Sequence, residues 1–504
     1  MRRLFVFVQW AAVLAIVVAV LYLSLRPYPE PDRDPSQWTS WSGFHALSYT
    51  GVIGDSGGEH VTSERLAEHL KALRDAGYQA ITPEDAAAFL DRRAPLPEKA
   101  LLLLFEGGRK DSFLRATPEL REVGFVAALC VPTAVTKRWG SFYLKEKELR
   151  KVAELPHWRL CSMGHDSYEP VKVDAERNTG HFLTRFQWRD GGRETEGEYR
   201  ARISRDVETA RRMLEDVESG TVSAFVYPFA DWGASPESRS VEARITSEVV
   251  GRNHKVAFSR SGDSFNGLDA DPLSLTRLRV KGDWDADRLL SELETFSPRT
   301  TPVNMKHEEN IWRAGTGVSR QSGGLLIARD STAWVRGSNE WRDVDARAVV
   351  ELTDPESLAA VYLRHSGPDS YLRASLSGDG IRLQERTAGR TRNLGRQALG
   401  ASSAGGAHEL RLRVKGRRGW LWLDEELVAG PVPVAAVTHH GRVGVGAQGG
   451  SIMLSEFDAR PLKARFVFAP AFSALGPGQR DAAAAILPPW FDNGAAGALD
   501  GTQR

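Results

Sequence analysis

The stretch 97–112, PEKALLLLFEGGRKDS, constrains this chain more than any other. A charged turn leads into Ala100 to Phe105, a wholly apolar run too short for a buried helix and bounded by turn residues. Such a run fits a central parallel strand covered on both faces. Glu106, Gly107, Gly108, Arg109, Lys110 and Asp111 follow at once. In α/β folds ligands are met at the carboxyl ends of parallel strands, so Glu106 is placed for chemistry. A polar turn whose glycines supply positive φ reads the same residues equally well.

The surroundings extend the pattern. Ser63 to Ala76 sets Leu66, Leu70 and Leu73 at helical spacing, with Ser63 as candidate cap and Gly77 as stop. Strands are expected at 45–52, 78–82, 125–132, 159–163, 223–227, 255–259 and 275–280. Helices are expected at 83–90, from Lys110 through Arg121 to a stop at Gly124, at 198–218 and at 285–296. Residues 174–196 read as a polar surface insertion. Alternating strands and helices with short connections predict a parallel α/β sheet or barrel over 45–300.

Beyond about Trp312 the signal changes. RAVVELT, AAVYLRH, YLRASLS, HELRLRV and RGWLWLD are short, alternating and punctuated by Gly, Asp and Ser. Many short strands without helices predict an antiparallel sandwich over 301–465. Trp334, Trp341, Tyr362, Tyr371, Trp420 and Trp422 are candidates for stacking on sugars. Trp420 and Trp422 share one face and are expected in the core. Residues 466–504, rich in Ala and Gly, are expected to be partly disordered.

At the other end, Arg2 and Arg3 precede an apolar run from Leu4 to Leu25, broken only by Gln9, Trp10, Tyr22 and Ser24. About 20 such residues cross a bilayer. Residues 1–26 are therefore expected to be an uncleaved transmembrane anchor with its N-terminus in the cytoplasm. The bulk of a single-pass membrane protein would then lie outside the cytoplasm, in a periplasm or at the cell surface. Residues 27–44, opening with PYPEPDRDP, read as a stiff spacer. With 66 basic against 65 acidic residues, charge offers no case for nucleic acid. Cys130 and Cys161 lie in apolar surroundings and match no zinc spacing, which predicts two buried thiols. A disulfide is open to an exported chain.

Several segments, in order, resemble the polysaccharide deacetylases of carbohydrate esterase family 4, of the NodB-like type, and especially their poly-N-acetylglucosamine deacetylase branch. LAEHLKALRDAGYQAITPEDAAAFL looks like that branch's lead-in, and LLLLFEGG sits where the family carries Thr-Phe-Asp-Asp-Gly. CSMGHDSYEP matches the His-x-x-x-His region, AFVYPFADWG the Tyr-Pro-Tyr-Gly segment, and VAFSR with LSLTRLRV the closing strands. The resemblance implies a distorted (β/α) barrel with its site at the strands' carboxyl ends. It implies a base at Glu106, a missing metal ligand at Gly107, a first histidine at His165, and Glu169 in place of the second. The family's late Leu-x-His acid falls in 275–280, where no histidine occurs. The β-rich part resembles concanavalin-like or laminin-G-like jelly rolls.

These residues leave more than one chemistry open. Glu106, His165 and Glu169 could hold an oxygen-preferring divalent metal, although not through the family's Asp-His-His set. Glu106 and Asp231, with His165, are the catalytic candidates; as paired carboxylates Glu106 and Asp231 could also serve a metal-independent glycosidase or lyase. Arg109, Asp111, Tyr227 and Trp232 are candidates for substrate binding, with Arg109–Asp111 pairing as the plainer alternative. The expected partner is an acetylated cell-surface or exopolysaccharide, processed by a hydrolase or bound by a non-catalytic subunit, with export or assembly machinery as a further partner.

Overall fold

The computed structural model describes residues 30–462, apart from 55–57, 139, 190, 219, 232, 234–239, 262, 309, 316, 388, 400–405 and 436–439. The expected membrane span, the expected tail and Trp232 lie outside the described residues. No helix among the described residues is long and apolar enough to cross a membrane.

Seven parallel strands close into a barrel: β1 (Gly43–Tyr49), β2 (Ala100–Glu106), β3 (Ala127–Val131), β4 (Trp158–Ser162), β5 (Ala224–Val226), β6 (Val256–Ser261) and β7 (Leu275–Arg279). They pair in chain order, and β7 returns to β1. Side chains alternate across each strand, so every strand feeds two cores. Phe44, Ala46, Leu102, Leu104, Cys130, Cys161, Val226 and Phe258 pack together in the lumen. Leu47, Leu101, Leu103, Phe105, Leu129 and Val131 pack outward, joined by helical residues such as Leu66, Leu70 and Leu120. Both faces of β2 are thus apolar, which is why its sequence shows no alternation.

The expected helices form as α1 (Ser63–Asp75), α2 (Pro83–Leu90), α3 (Lys110–Val123), α5 (Glu196–Glu218) and α7 (Ala286–Phe296). Two more, α4 (Glu146–Ala153) and α6 (Val241–Asn253), are short on sequence signals but bury Leu149 and Val152, and Ile245 and Val249. Thr62, not Ser63, caps α1: its hydroxyl accepts from the Arg65 N–H at 3.2 Å. Residues 174–196 are less irregular than expected: Thr179–His181 pairs with Pro170–Lys172 just before the segment, and Trp188–Arg189 pairs with Gly192–Arg193.

The two cysteines are not free thiols. Cys130 and Cys161 are register partners on β3 and β4, with Cα atoms 4.2 Å apart, and form a disulfide. Sequence spacing hides this, because two adjacent parallel strands bring residues 31 apart side by side.

Past residue 300 the chain forms antiparallel strands. We label ten of them β8 (Thr332–Val335), β9 (Val344–Leu352), β10 (Leu358–Gly367), β11 (Ser370–Ser377), β12 (Gly380–Thr387), β13 (Arg390–Gln397), β14 (Ala407–Lys415), β15 (Arg418–Leu423), β16 (Arg442–Gln448) and β17 (Ile452–Pro461). One sheet contains β17, β9, β14 and β15; the other runs β8-β16-β10-β11-β12-β13. Their inner residues form one core, including Val350, Leu410, Leu412 and Leu421 from the first and Val361, Leu372, Leu383 and Val445 from the second. Trp420 and Trp422 fall on the other face of β15, part-exposed, with Leu421 and Leu423 buried instead. The alternation was legible, but the leucines fill the core, and the guanidinium of Arg411 sits 5.2 Å over the Trp422 ring.

On the same face Asp345 accepts from Arg411 at 2.9 and 2.7 Å and from Arg413 at 3.2 and 2.5 Å. Burial works against its charge, but the two arginines outweigh that and hold its carboxyl down to about 2. A carboxylate depressed on folding stabilises above its unfolded pKa and loses that contribution as pH falls through the folded value. Solvent screens the arginines, so the contribution is on the order of 1 kcal/mol. Asp345→Asn should lower the urea midpoint at pH 7 and flatten the wild-type decline between pH 4 and 2. Parallel curves for the two proteins over that window would refute this.

Candidate functional site

The top of the barrel lumen is set by alternation. Two residues beyond Ala46, Leu104 and Leu275 come Ser48, Glu106 and Arg277, all buried at the carboxyl ends of their strands. Glu106 is 6% exposed and Arg277 3%. Arg277 donates from Nε to Glu106 Oε1 at 2.6 Å and from Nη2 to Oε2 at 3.3 Å. Its remaining N–H groups reach the carbonyls of Phe258 at 2.8 Å and Tyr227 at 3.2 Å. The Ser48 hydroxyl also donates to Glu106 Oε1. Charge and hydrogen-bond capacity are matched inside the barrel, the condition for tolerating a buried ion pair.

The turn after β2 follows from its glycines. Gly107 and Gly108 have φ of 95° and 64°, and both N–H groups donate to the Cys130 carbonyl. A Cβ on Gly108 would lie 3.0 Å from Val131. The turn delivers Arg109, which pairs with Asp111 through bonds of 3.0 and 2.5 Å and lies 4.5 Å over the Phe142 ring. These two candidates for substrate binding satisfy each other.

The loop after β4 carries the histidine-motif residues without uniting them. Asp206 of α5, buried, accepts from the backbone N–H of His165 at 3.0 Å and of Asp166 at 2.6 Å. Burial pushes the Asp206 carboxyl up to about 6 despite those bonds. His165 Nδ1 meets the Thr133 hydroxyl at 2.7 Å, while Glu169 pairs with Arg138. Tyr168 packs over the lumen residues, and burial with the nearby Glu106 charge raises its phenol well above the ordinary value.

After β5, Tyr227 turns outward and is fully buried against Phe225 and Tyr199, so it is core and not a sugar platform. Asp231 accepts from Thr184 at 2.6 Å and from the Gly233 N–H at 2.9 Å, and meets His181 Nδ1 at 2.7 Å. Burial opposes its ionisation, but these bonds prevail and hold the carboxyl below its usual range. His181 stacks on Phe229 at 4.5 Å, and Tyr168 meets Phe229 edge-on at 5.2 Å. Phe229 is half exposed, and both Phe229 and Ala230 take positive φ, 59° and 55°. Non-glycine residues persist there only when their surroundings enforce it, a pattern common at binding rims. Asp231 therefore belongs to a rim network, and Glu106 to the lumen.

The donors fail the test for a divalent metal. Both Glu106 oxygens face the Arg277 guanidinium, Gly107 offers no ligand, and His165 and Glu169 have separate partners. No group of three or more His, Cys, Asp or Glu side chains suited to a cation occurs among the described residues. A fixed positive charge already engages the Glu106 carboxylate, so no step is derived through a metal. Sequence reasoning passed over Arg277, whose Leu275-Thr276-Arg277 context was the available signal, and over His181 and Ser48. Removing Arg277 alone strands a buried carboxylate. Arg277→Ala should cost about 3–5 kcal/mol, read as a lowered denaturant midpoint. Arg277→Met with Glu106→Gln should recover most of it; an unchanged midpoint in the single variant would show that the pair is not buried as described.

No family model matches the chain. It is 26% identical over 211 residues to the poly-beta-1,6-N-acetyl-D-glucosamine N-deacetylase of Escherichia coli, covering 38% of this chain and 31% of that protein. It is 30% identical over 95 residues to YxkH of Bacillus subtilis, named as a polysaccharide deacetylase, covering 19% of this chain and 33% of that one. The chain thus spans about a third of the length of these curated relatives. A solved de-N-acetylase from Aggregatibacter actinomycetemcomitans aligns over 50% of this chain and 99% of its own, at 14% identity and a TM-score of 0.44. Taken with the ordered motifs, the sequence matches make the barrel similar to the polysaccharide deacetylases of the NodB-like type.

Proposed function

We propose that this protein recognises an acetylated polysaccharide outside the cytoplasm through its deacetylase-like barrel, without metal-dependent hydrolysis at the former centre. The buried Glu106–Arg277 pair carries this reading. A base must be free to take a proton from water, whereas this carboxylate is held by a guanidinium and a hydroxyl. The same engagement weighs against a glycosidase acid–base pair of Glu106 and Asp231, since each sits in its own network. What the barrel retains is a rim suited to sugar: Phe229 half exposed, braced by Tyr168 and His181, with apolar ring faces of the kind that stack on pyranose C–H groups.

The apolar run from Leu4 to Leu25 supports a single-span anchor, and the Cys130–Cys161 disulfide supports an oxidising location for the barrel. The β-rich part, with its shared core between two sheets, supports a concanavalin-like module next to the barrel. Export or assembly machinery is a partner consistent with a membrane-held glycan binder.

Titrating the full chain with β-1,6-linked N-acetylglucosamine oligomers should give binding without acetate release, unaltered by chelator and weakened by Phe229→Ala. Acetate release abolished by chelator would overturn the non-hydrolytic reading. Thiol titration of denatured, unreduced protein from intact cells should detect no free cysteine; two reactive thiols would remove the support for an oxidising location.

A further inference from the structure

The outer face of the β8-β16-β10-β11-β12-β13 sheet carries a side-chain arrangement that the barrel's chemistry does not use. Pairing register aligns six positions in one row across six neighbouring strands: Trp334, Gly444, Tyr362, Arg373, Gln384 and Asn393. At about 4.8 Å per strand the row is roughly 24 Å long. Its inward neighbours Ala333, Leu363, Leu372 and Leu383 are core, so alternation turns the row outward.

The row has two halves. At one end a Cβ on Gly444 would lie 2.5 Å from the Trp334 ring, so the indole lies down across a strand that glycine keeps flat. Tyr362 stands 5.6 Å from Trp334, and His365 and Tyr371 stack at 5.8 Å beside them. Burial, reinforced by Arg442, pushes the His365 imidazole down to about 4, which leaves this ring cluster uncharged near neutrality. The other end is a ladder of polar groups. Arg373 donates to Gln384 at 2.7 Å and to Gln448 at 3.3 Å, and Gln384 donates to Asn393 at 2.9 Å.

The partners of Arg373, the amides of Gln384 and Gln448 and the Tyr362 phenol, are all neutral, and no carboxylate pairs with it among the described residues. Its Nε is buried without a partner. Arg382 and Arg396, register partners on the same face, also have no carboxylate partner among the described residues. The nearby Asp369 bonds Arg386 at 3.2 Å. The face is therefore electropositive beside an aromatic patch, although the whole chain is close to neutral.

We propose that this face binds an acidic polysaccharide, one whose sugars carry carboxylates. Ring faces of the sugar stack on Trp334 and Tyr371, the amide ladder takes hydroxyls, and the positive charge of Arg373, Arg382 and Arg396 attracts the carboxylates. A neutral acetylated glycan would leave the cations without counter-ions, and a deacetylated, cationic one would be repelled. The assignment is independent of what the barrel does.

Calorimetric titration of the full chain with oligogalacturonate tests it, against β-1,6-linked N-acetylglucosamine oligomers and dextran sulfate. Oligogalacturonate should bind, with affinity falling as salt rises. Trp334→Ala and Arg373→Gln should each weaken it about tenfold or more. Arg382→Glu, at an exposed position that folding tolerates, should weaken it as well, while Phe229→Ala should leave it unchanged. Absence of oligogalacturonate binding, or binding that none of the three sheet variants alters, overturns the proposal. So does dextran sulfate binding as tightly with Trp334→Ala indifferent, which would mark an unspecific cationic patch.

Discussion

A carboxylate and a guanidinium facing each other inside a closed parallel barrel must solve a desolvation problem before they can do anything else. Glu106 and Arg277 solve it with two mutual hydrogen bonds, the Ser48 hydroxyl and the carbonyls of Phe258 and Tyr227. Each added bond lowers the cost of keeping ions from water, and each also removes a lone pair or a donor from service. The lumen is consequently closed to a divalent cation by charge, and its carboxylate is spent on structure. Whatever the barrel recognises must be met above this layer, where Tyr168, Phe229 and His181 stand.

Much of this arrangement was legible in the residues. The unbroken apolar run before Glu106 announced a strand buried on both sides, and the paired glycines announced a turn of positive φ. The missing ligand at Gly107 was visible as soon as the motif was aligned. What stayed hidden depended on partners far apart in the chain. Arg277 reads as one cation in a basic strand until β7 closes on β1 and brings it to Glu106. Cys130 and Cys161 read as separate apolar residues until β3 and β4 pair. Trp420 was misplaced because period two tells which residues share a face, not which face is inside, and Tyr227 because a motif position does not say which way its side chain turns.

The two halves of the chain treat charge in opposite ways. Inside the barrel one ion pair is enclosed and fully matched. On the outer face of the sheet built from β17, β9, β14 and β15, Asp345 gathers Arg411 and Arg413 in reach of solvent, where such pairs act mainly to order the surface. The neighbouring sheet pairs Arg386 with Asp369 but leaves Arg373, Arg382 and Arg396 without a carboxylate partner among the described residues, next to aromatic rings. Unmatched charge of that kind has little value to folding, and its position beside Trp334 and Tyr371 is what the proposed recognition rests on.

The same chemistry ties the halves together. Asp269, in the segment between β6 and β7, pairs with Arg92 at 2.6 Å and with Arg342 from the β-rich part, and Asn339 donates to Asp263 at 2.8 Å. A swivel of either half would break the Asp269–Arg342 and Asn339–Asp263 contacts. A polymer that carried both acetylated and acidic sugars and was long enough to touch both would lose its freedom of motion once, on first capture, and the second contact would form at a high local concentration. Two individually weak footholds could then retain a long chain that would escape from either one alone.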